Sequence, residues 1–476
     1  MNSTSLLGDL FAAIADRGRR LLSLGSYDEQ ADPMAALGDL CDILLSGRGE
    51  ASGMALARDI LDRWRALDEP SRLAFSLLLL SRFGPDANRL DRAIEAYRSN
   101  PSAQSAVELN AASEPRRQEL IRRLNLSPDG TATLVDMRRQ LLAQKVQYPE
   151  LEALDADFAH LLGSWFNRGF LELRAINWST PADILEKIIR YEAVHEIRGW
   201  DDLRRRLAPT DRRCFAFFHP RLPDEPLIFV EVALTRAIPS AIDDLLREDR
   251  LHIPAAEATT AVFYSISNCQ EGLRGISFGN FLIKQVVEDL RHEFPKLDTF
   301  VTLSPVPGFA AWLDAERRSD RLAVLDAGDR AALAALDTLG EGDPLELLKT
   351  LQPIFGRAAA FYFLKARDRS GRVIDPVARF HLGNGARLER INFLADRSPQ
   401  ALKRGLGLMV NYLYKQDDIE ANHENFVNLG EVAASSAVKR LLTAEHARRP
   451  IFPAGESSEP VRLPASSQSR LKETST

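Results

Sequence analysis

The chain has little cysteine. Its three, Cys41, Cys214 and Cys269, lie far apart and form no CxxC pair. That spacing offers no disulfide framework and no thiolate zinc motif, and it supports a reducing compartment. HExxH and Walker A patterns are absent, so no metal or ATP is announced. No GxSxG elbow marks a hydrolase nucleophile. There is no basic excess: 61 Lys and Arg face 67 Asp and Glu, for a net charge of -6. Nucleic-acid binders usually show the opposite balance. Long apolar runs are missing too. The longest, LAFSLLLLS from Leu73 to Ser81, is about half of a membrane span. Asp9 and Asp16 interrupt the first apolar stretch and argue against a signal peptide. The expectation is a cytoplasmic protein with no nucleic-acid and no membrane partner.

What is present is ordinary for a soluble globular protein, with 45% hydrophobic and 27% charged residues. The length calls for two or three domains. Residues 1–165 read as helices only. Leu151, Leu154, Phe158, Leu161 and Trp165 follow a helical spacing, as do Leu134, Met137 and Leu141. This is the pattern of a helical bundle, with packing or oligomerisation as its simplest role. After Ile176 strand-like runs appear: CFAFF (214–218), LIFVEVAL (227–234), TAVFYSI (260–266) and TFVTL (299–303). FLIKQVVEDLRHEF (281–294) between the last two predicts a helix, hence one crossover unit in a sheet. Residues 310–366 return to helix. VARFHLGNGARLERINF (377–393) predicts a β-hairpin turning at Asn384-Gly385. Ser398-Pro399 predicts a helix start, with Leu402, Leu406, Met409 and Leu413 as its apolar stripe. Residues 451–476 hold Ser, Pro and charge without periodicity and predict a disordered tail.

Two places carry chemistry. The first is the loop from Arg274 to Asn280 between strand TAVFYSI and the helix. Loop amides and a helix N-terminus together make an anion site. Gly275 and Gly279 let backbone approach a pyrophosphate closely. Arg274-Gly275-Ile276-Ser277-Phe278-Gly279 resembles the coenzyme A loop of GNAT-type acyltransferases, with Ser277 where a middle glycine is usual. The second is Ser304, directly after strand TFVTL. Pro305 restricts it to extended angles, Pro307-Gly308 turns the chain, and the prolines remove two amide donors. His381 lies far downstream. On the hairpin reading it shares a strand face with Val377 and Arg379. Spacing alone does not pair it with Ser304.

Together these stretches resemble one family. FYSISNCQEGLRGISFGNFLIKQVVEDLRHEFPKLDTFVTLSPVPGF, followed by HLGNGARLERINFLADRS and GLMVNYLY, is similar to malonyl-CoA decarboxylase. The upstream run LLGSWFNRGFLELRAINWSTPADILEKI looks like it as well, so the resemblance spans roughly Leu161 to Leu442. It implies an α+β fold: an N-terminal all-helical bundle domain (1–165), for oligomerisation, then a GNAT-like mixed α/β catalytic domain (166–450). It implies conversion of malonyl-CoA to acetyl-CoA and carbon dioxide without biotin, metal or pyridoxal phosphate. The family's SPxPGF serine falls on Ser304 and its FHLxNG histidine on His381. Its acyl-CoA loop falls on Arg274, Gly275, Ile276, Ser277, Phe278, Gly279 and Asn280. The tyrosine of its NYxY motif falls on Tyr414, a pocket residue. Animal members carry an acidic residue where this chain has Ser277, and some end in a peroxisomal tripeptide where this chain ends in ETST. A homodimer or homotetramer through the helical domain is implied.

The implied reaction leaves a thioester enolate. Amides of the loop, or of Asn280, are expected to hold its oxygen, and His381 to act as general acid near its ordinary pKa. Ser304 is expected to hold the departing carboxylate or relay the proton. Three other readings stand beside this one. They are a GNAT-type acetyl-CoA-dependent acyltransferase, a serine thioester hydrolase using Ser304 and His381, and a non-enzymatic helical scaffold. The last leaves the serine and histidine motifs without a role.

Overall fold

Acidic and hydroxyl side chains start the first helices. In the computed structural model Asp32 caps α1 (Pro33–Leu45) by accepting from the Met34 amide. After α2 (Glu50–Ala66), Asp68 caps α3 (Glu69–Arg82) and Asp86 caps α4 (Ala87–Ser99) in the same way. Ser102 and Ser105 form a capping box on α5 (Ala103–Ser113). Each cap satisfies an amide that the helix leaves without an internal partner. Then come α6 (Arg116–Asn125), α7 (Gly130–Gln144) and α8 (Glu152–Trp165). The expected stripes are buried: Leu134, Met137 and Leu141 on α7, and Leu151, Leu154, Phe158 and Leu161 at α8, with Trp165 only half-buried. Leu222, Leu227 and Leu273 join the same core. The structure describes residues 32–46, 49–276, 282–319, 324–338 and 344–442, in two compact units, Met1–Leu303 and Ser304–Thr476.

The sheet of the first unit follows α8. Its order is β1 (Glu172–Ile176), α9 (Ala182–Tyr191), α10 (Trp200–Leu207), β2 (Arg212–Phe218), β3 (Ile228–Thr235) and α11 (Asp243–Leu246). It continues with β4 (Thr260–Asn268), α12 (Leu282–Glu293) and β5 (Thr299–Thr302). Strands β1 to β4 run antiparallel, and β5 lies parallel to β4 with α12 as the crossover. This is the mixed α/β arrangement that the GNAT-like reading requires. All four strand-like runs are strands. β1 went unread because Glu172 and Arg174 interrupt its apolar residues; only Ile176 is buried, as suits an edge. Ile184, Ile188, Leu203 and Leu207 of α9 and α10 cover one face against Ala216, Phe218 and Phe229.

The second unit corrects two expectations. It runs β6 (Ser304–Pro305), α13 (Phe309–Arg317), α14 (Ala327–Leu333), α15 (Pro344–Thr350), α16 (Gln352–Leu364) and α17 (Pro376–Gly383). Then come β7 (Arg387–Asn392), α18 (Pro399–Gly405), β8 (Met409–Leu413), α19 (Ile419–Leu429) and α20 (Ser436–Arg440). The hairpin expected over 377–393 is a helix followed by a strand. Asp375 caps α17 at the Ala378 amide and Pro376 occupies its first turn. Gly385, at φ 81°, lets the chain leave the helix, and a Cβ there would meet the Ile419 carbonyl at 2.2 Å. So Asn384-Gly385 is a helix stop, and His381 lies on a helix rather than a strand. Nor does the stripe from Leu402 to Leu413 form one helix. Ser398 does cap α18 at the Ala401 amide, but Leu406 and Gly407 adopt left-handed angles and end it. Met409 then opens β8, which pairs antiparallel with β6 and β7. The expected tail, 451–476, lies outside the described residues. No described helix is long and apolar enough to cross a membrane.

Candidate active site

Ser304 opens the second unit on a strand of two residues. Its backbone pairs with Val410 of β8. Alternation along β8 places Val410, Tyr412 and Tyr414 on one side. His381 sits in the last turn of α17 and meets these residues. Ser304 Oγ is 3.2 Å from His381 Nε2, and Tyr414 Oη is 2.8 Å from Nδ1. The Tyr412 ring stacks on the imidazole at 4.6 Å, and Phe380 meets it edge-on at 5.1 Å. Asn384 donates to the Phe380 carbonyl, and His423 Nδ1 lies 2.6 Å from the Gly383 carbonyl, so the end of α17 is held on both sides.

The cluster is enclosed and uncharged. Ser304, His381 and Tyr414 are 6%, 3% and 5% exposed. Burial alone pushes the His381 imidazole down to about 3. The expectation that it titrates near its ordinary value is therefore corrected: at neutral pH it is uncharged. The helix C-terminus favours a cation there, but desolvation is the larger effect. Tyr414 is held well above its ordinary range by the same burial and keeps its proton. Two proton arrangements satisfy this chain. Tyr414 donates to Nδ1 and Nε2–H donates to Ser304, or both bonds run the other way.

The second expected element lies in the first unit. A tight turn at Glu271–Leu273 follows β4, and then come Arg274, Gly275 and Ile276. Gly275 has φ 81°, a left-handed angle that glycine adopts freely. Arg138 of α7 donates to the carbonyls of Gly272 and Arg274 at 2.7 and 2.9 Å, while Asp155 pairs with its Nε. A Cβ on Gly272 would meet the Val135 carbonyl at 2.0 Å. The helical region thus clamps the start of this loop. Ser277, Phe278, Gly279 and Asn280 lie outside the described residues.

Among the described residues no group of three or more His, Cys, Asp or Glu is placed to hold a metal ion. A cavity of about 440 Å³ in the first unit, walled by Arg205, Arg206, Arg212 and Arg250 among others, contains none of the residues above. Three side chains around the histidine went unread in the sequence: Asp375, Tyr362 and Tyr412. Asp375-Pro376 is itself a helix-start signature, and reading it would have placed His381 on a helix.

The comparisons with known proteins agree with each other. The model of the malonyl-CoA decarboxylase C-terminal domain matches residues 169–451, and that of the N-terminal domain matches residues 83–166. The mitochondrial malonyl-CoA decarboxylase of Anser anser anser is 35% identical over 409 residues, covering 79% of this chain and 81% of its own. The crystal structure of malonyl-CoA decarboxylase from Agrobacterium vitis is 60% identical with a TM-score of 0.82, covering 86% of this chain and 100% of its own. That from Rhodopseudomonas palustris is 59% identical, also at 0.82, covering 86% and 99%. The chain belongs to the malonyl-CoA decarboxylase family.

Proposed function

We propose that this chain converts malonyl-CoA to acetyl-CoA and carbon dioxide, with Ser304, His381 and Tyr414 as a neutral proton relay. The observation that carries the reading is the unbroken contact Ser304–His381–Tyr414 in a chain of this family. When the carbon–carboxylate bond breaks, its electron pair enters the thioester carbonyl and gives an enolate. The carbonyl is the electron sink, so no further group is needed. The enolate carbon is far more basic than any oxygen in the relay. Ser304 gives it the hydroxyl proton, Nε2–H of His381 replaces that proton, and Tyr414 replaces it on Nδ1. The tyrosinate regains a proton from solvent as product leaves. A neutral imidazole works as an acid here because it receives a proton on one nitrogen while giving one from the other. The stiff frame of Pro305 and Pro307 suits a task in which small misplacements are costly.

In this reading Arg274, Gly275, Ile276 and the stretch Ser277–Asn280 hold the diphosphate of coenzyme A. The helical region self-associates into a homodimer or homotetramer. Helices α4 and α5 support this: α4 buries no side chain fully, Leu90 and Ile94 are only half-buried, and Val107 is exposed. Light scattering on the purified chain tests it, and a monomer counts against it. A cytoplasmic location is part of the reading and is checked by fractionation; the three cysteines are free and buried, in keeping with it.

The deciding assay gives purified protein carboxyl-labelled malonyl-CoA. Labelled carbon dioxide and acetyl-CoA are expected, without free coenzyme A. Free coenzyme A instead points to a hydrolase or, with an acceptor, to an acyltransferase. Ser304→Ala and His381→Asn should each lower turnover at least about tenfold with folding kept. Near-normal turnover in either removes it from the relay.

A further inference from the structure

Asp375 is fully buried and faces two ways. One oxygen accepts from the Ala378 amide at 2.8 Å and caps α17, the helix that carries His381. The other accepts from the Tyr362 hydroxyl of α16 at 3.3 Å. Tyr362 in turn packs beneath the loop that follows Ser304. Its ring meets Phe309 edge-on at 5.7 Å and Trp312 at 5.0 Å. A Cβ on Gly308 would come within 2.8 Å of its hydroxyl oxygen, so only glycine fits there without displacing the tyrosine. Gly405 has the same relation to the Val306 carbonyl, at 2.7 Å. The loop from Ser304 to Phe309 is therefore seated between Tyr362 and the end of α18.

A carboxylate with no access to water is a costly way to cap a helix. An Asn or Ser would do so without burying a charge. Burial pushes Asp375 up to about 6, although Arg379, one turn along, pulls it the other way. The second bond accounts for the cost. One rigid side chain joins the helix that bears the imidazole to the tyrosine that seats the serine loop.

We propose that Asp375 is a positioning residue. Through its cap on α17 and its bond to Tyr362 it fixes the separation of Ser304 and His381. The inference rests on the relay reading above. It assigns Asp375, Tyr362 and Gly308 no contact with substrate.

Three consequences are measurable. Tyr362→Phe removes one oxygen and leaves the cap. It should lower kcat about tenfold or more while KM stays within about twofold, because misplacement acts on the reacting geometry. Asp375→Asn keeps an acceptor for the cap and should lower kcat in the same range, and the two variants combined should cost no more than either alone. In a Ser304→Ala background, Tyr362→Phe should leave the residual turnover unchanged, since the group being positioned is gone. A structural role alone would lower turnover equally in both backgrounds, and that result overturns the proposal. If Asp375→Asn does not fold, Tyr362→Phe carries the test. Ser304→Ala inactive with both brace variants at normal kcat overturns the brace and leaves the relay standing. Ser304→Ala at full turnover overturns the relay and the brace together.

Discussion

Glu231 and His381 are both enclosed, one in each unit, and the two surroundings treat them differently. Glu231 lies in β3 at a bulge, facing Arg206 of α10 at 3.1 Å. Arg206 also binds the His195 and Glu196 carbonyls and Asp202. Nearby, Glu192 accepts from Ser265, Ser267 and two amides. Burial pushes the Glu231 carboxyl up to about 8 while Arg206 pulls it the other way. His381 is shifted by burial alone, and a hydroxyl, a phenol and two further rings surround it. The first cluster keeps a cation inside by surrounding Arg206 with carboxyl and carbonyl oxygens. The second keeps none at rest: its hydroxyl, imidazole and phenol are joined while all three are neutral. A protein that needs anchoring can afford the first kind; a site that must move a proton is served by the second.

The largest expected effect breaks the ionic side. Arg206→Met strands Glu231 and Asp202 and should cost about 3–5 kcal/mol in urea unfolding. Adding Glu231→Leu should return a good part of it. No recovery would mean that Arg206 acts through its carbonyl contacts instead. On the neutral side, Tyr414→Phe removes the group that refills Nδ1. Turnover should fall about 10²-fold, with a loss of stability of about 1 kcal/mol. Unchanged turnover would show that the proton reaches His381 by another route.

A smaller effect sharpens the contrast through pH. The folded-state pKa of His381 is depressed, so its neutral form favours folding above the unfolded value. That contribution is lost as pH falls from about 6.5 towards 3. Asp375 is shifted the opposite way. Its contribution is full below about 3.8 and is lost as pH rises through about 6. Between about pH 4 and 6 the two slopes oppose. Asp375→Asn removes one of them, so the stability difference between wild type and variant should change by about 1.4 kcal/mol per pH unit there. A constant difference would mean that Asp375 titrates in its ordinary range. Smallest of all, Arg58→Ala breaks an exposed pair with Asp62 and should leave the unfolding midpoint unmoved. A resolvable shift would show that exposed pairs matter here as well.

Much of the first unit was legible in the sequence. Its strands are apolar runs bounded by turns, and its helices follow the 3.6 period, both of which depend on local pattern. The hard cases lay in the second unit. The run from Val377 to Phe393 alternates well enough to pass for a hairpin, yet Asp375-Pro376 before it and Gly385 after it impose a helix first. Leu402 to Leu413 keeps a helical period although Leu406 and Gly407 break the backbone. In both places the backbone-setting residues outweighed the apolar pattern. The motif residues Ser304, His381 and Tyr414 were findable by resemblance. Their convergence was not, because it depends on β8 returning beside β6. The uncharged state of His381 was equally hidden, since it comes from enclosure and not from any neighbour in the chain.

Pro305 and Pro307 have a second consequence. β6 pairs with β8 over only two residues, Ser304 and Pro305. Neither proline has an amide proton to give a ladder, so the pairing stays short. The chain turns at Gly308 and enters α13 at once. The side chain of Ser304 is thereby left where ribbon becomes helix, at a point the backbone chemistry itself fixes.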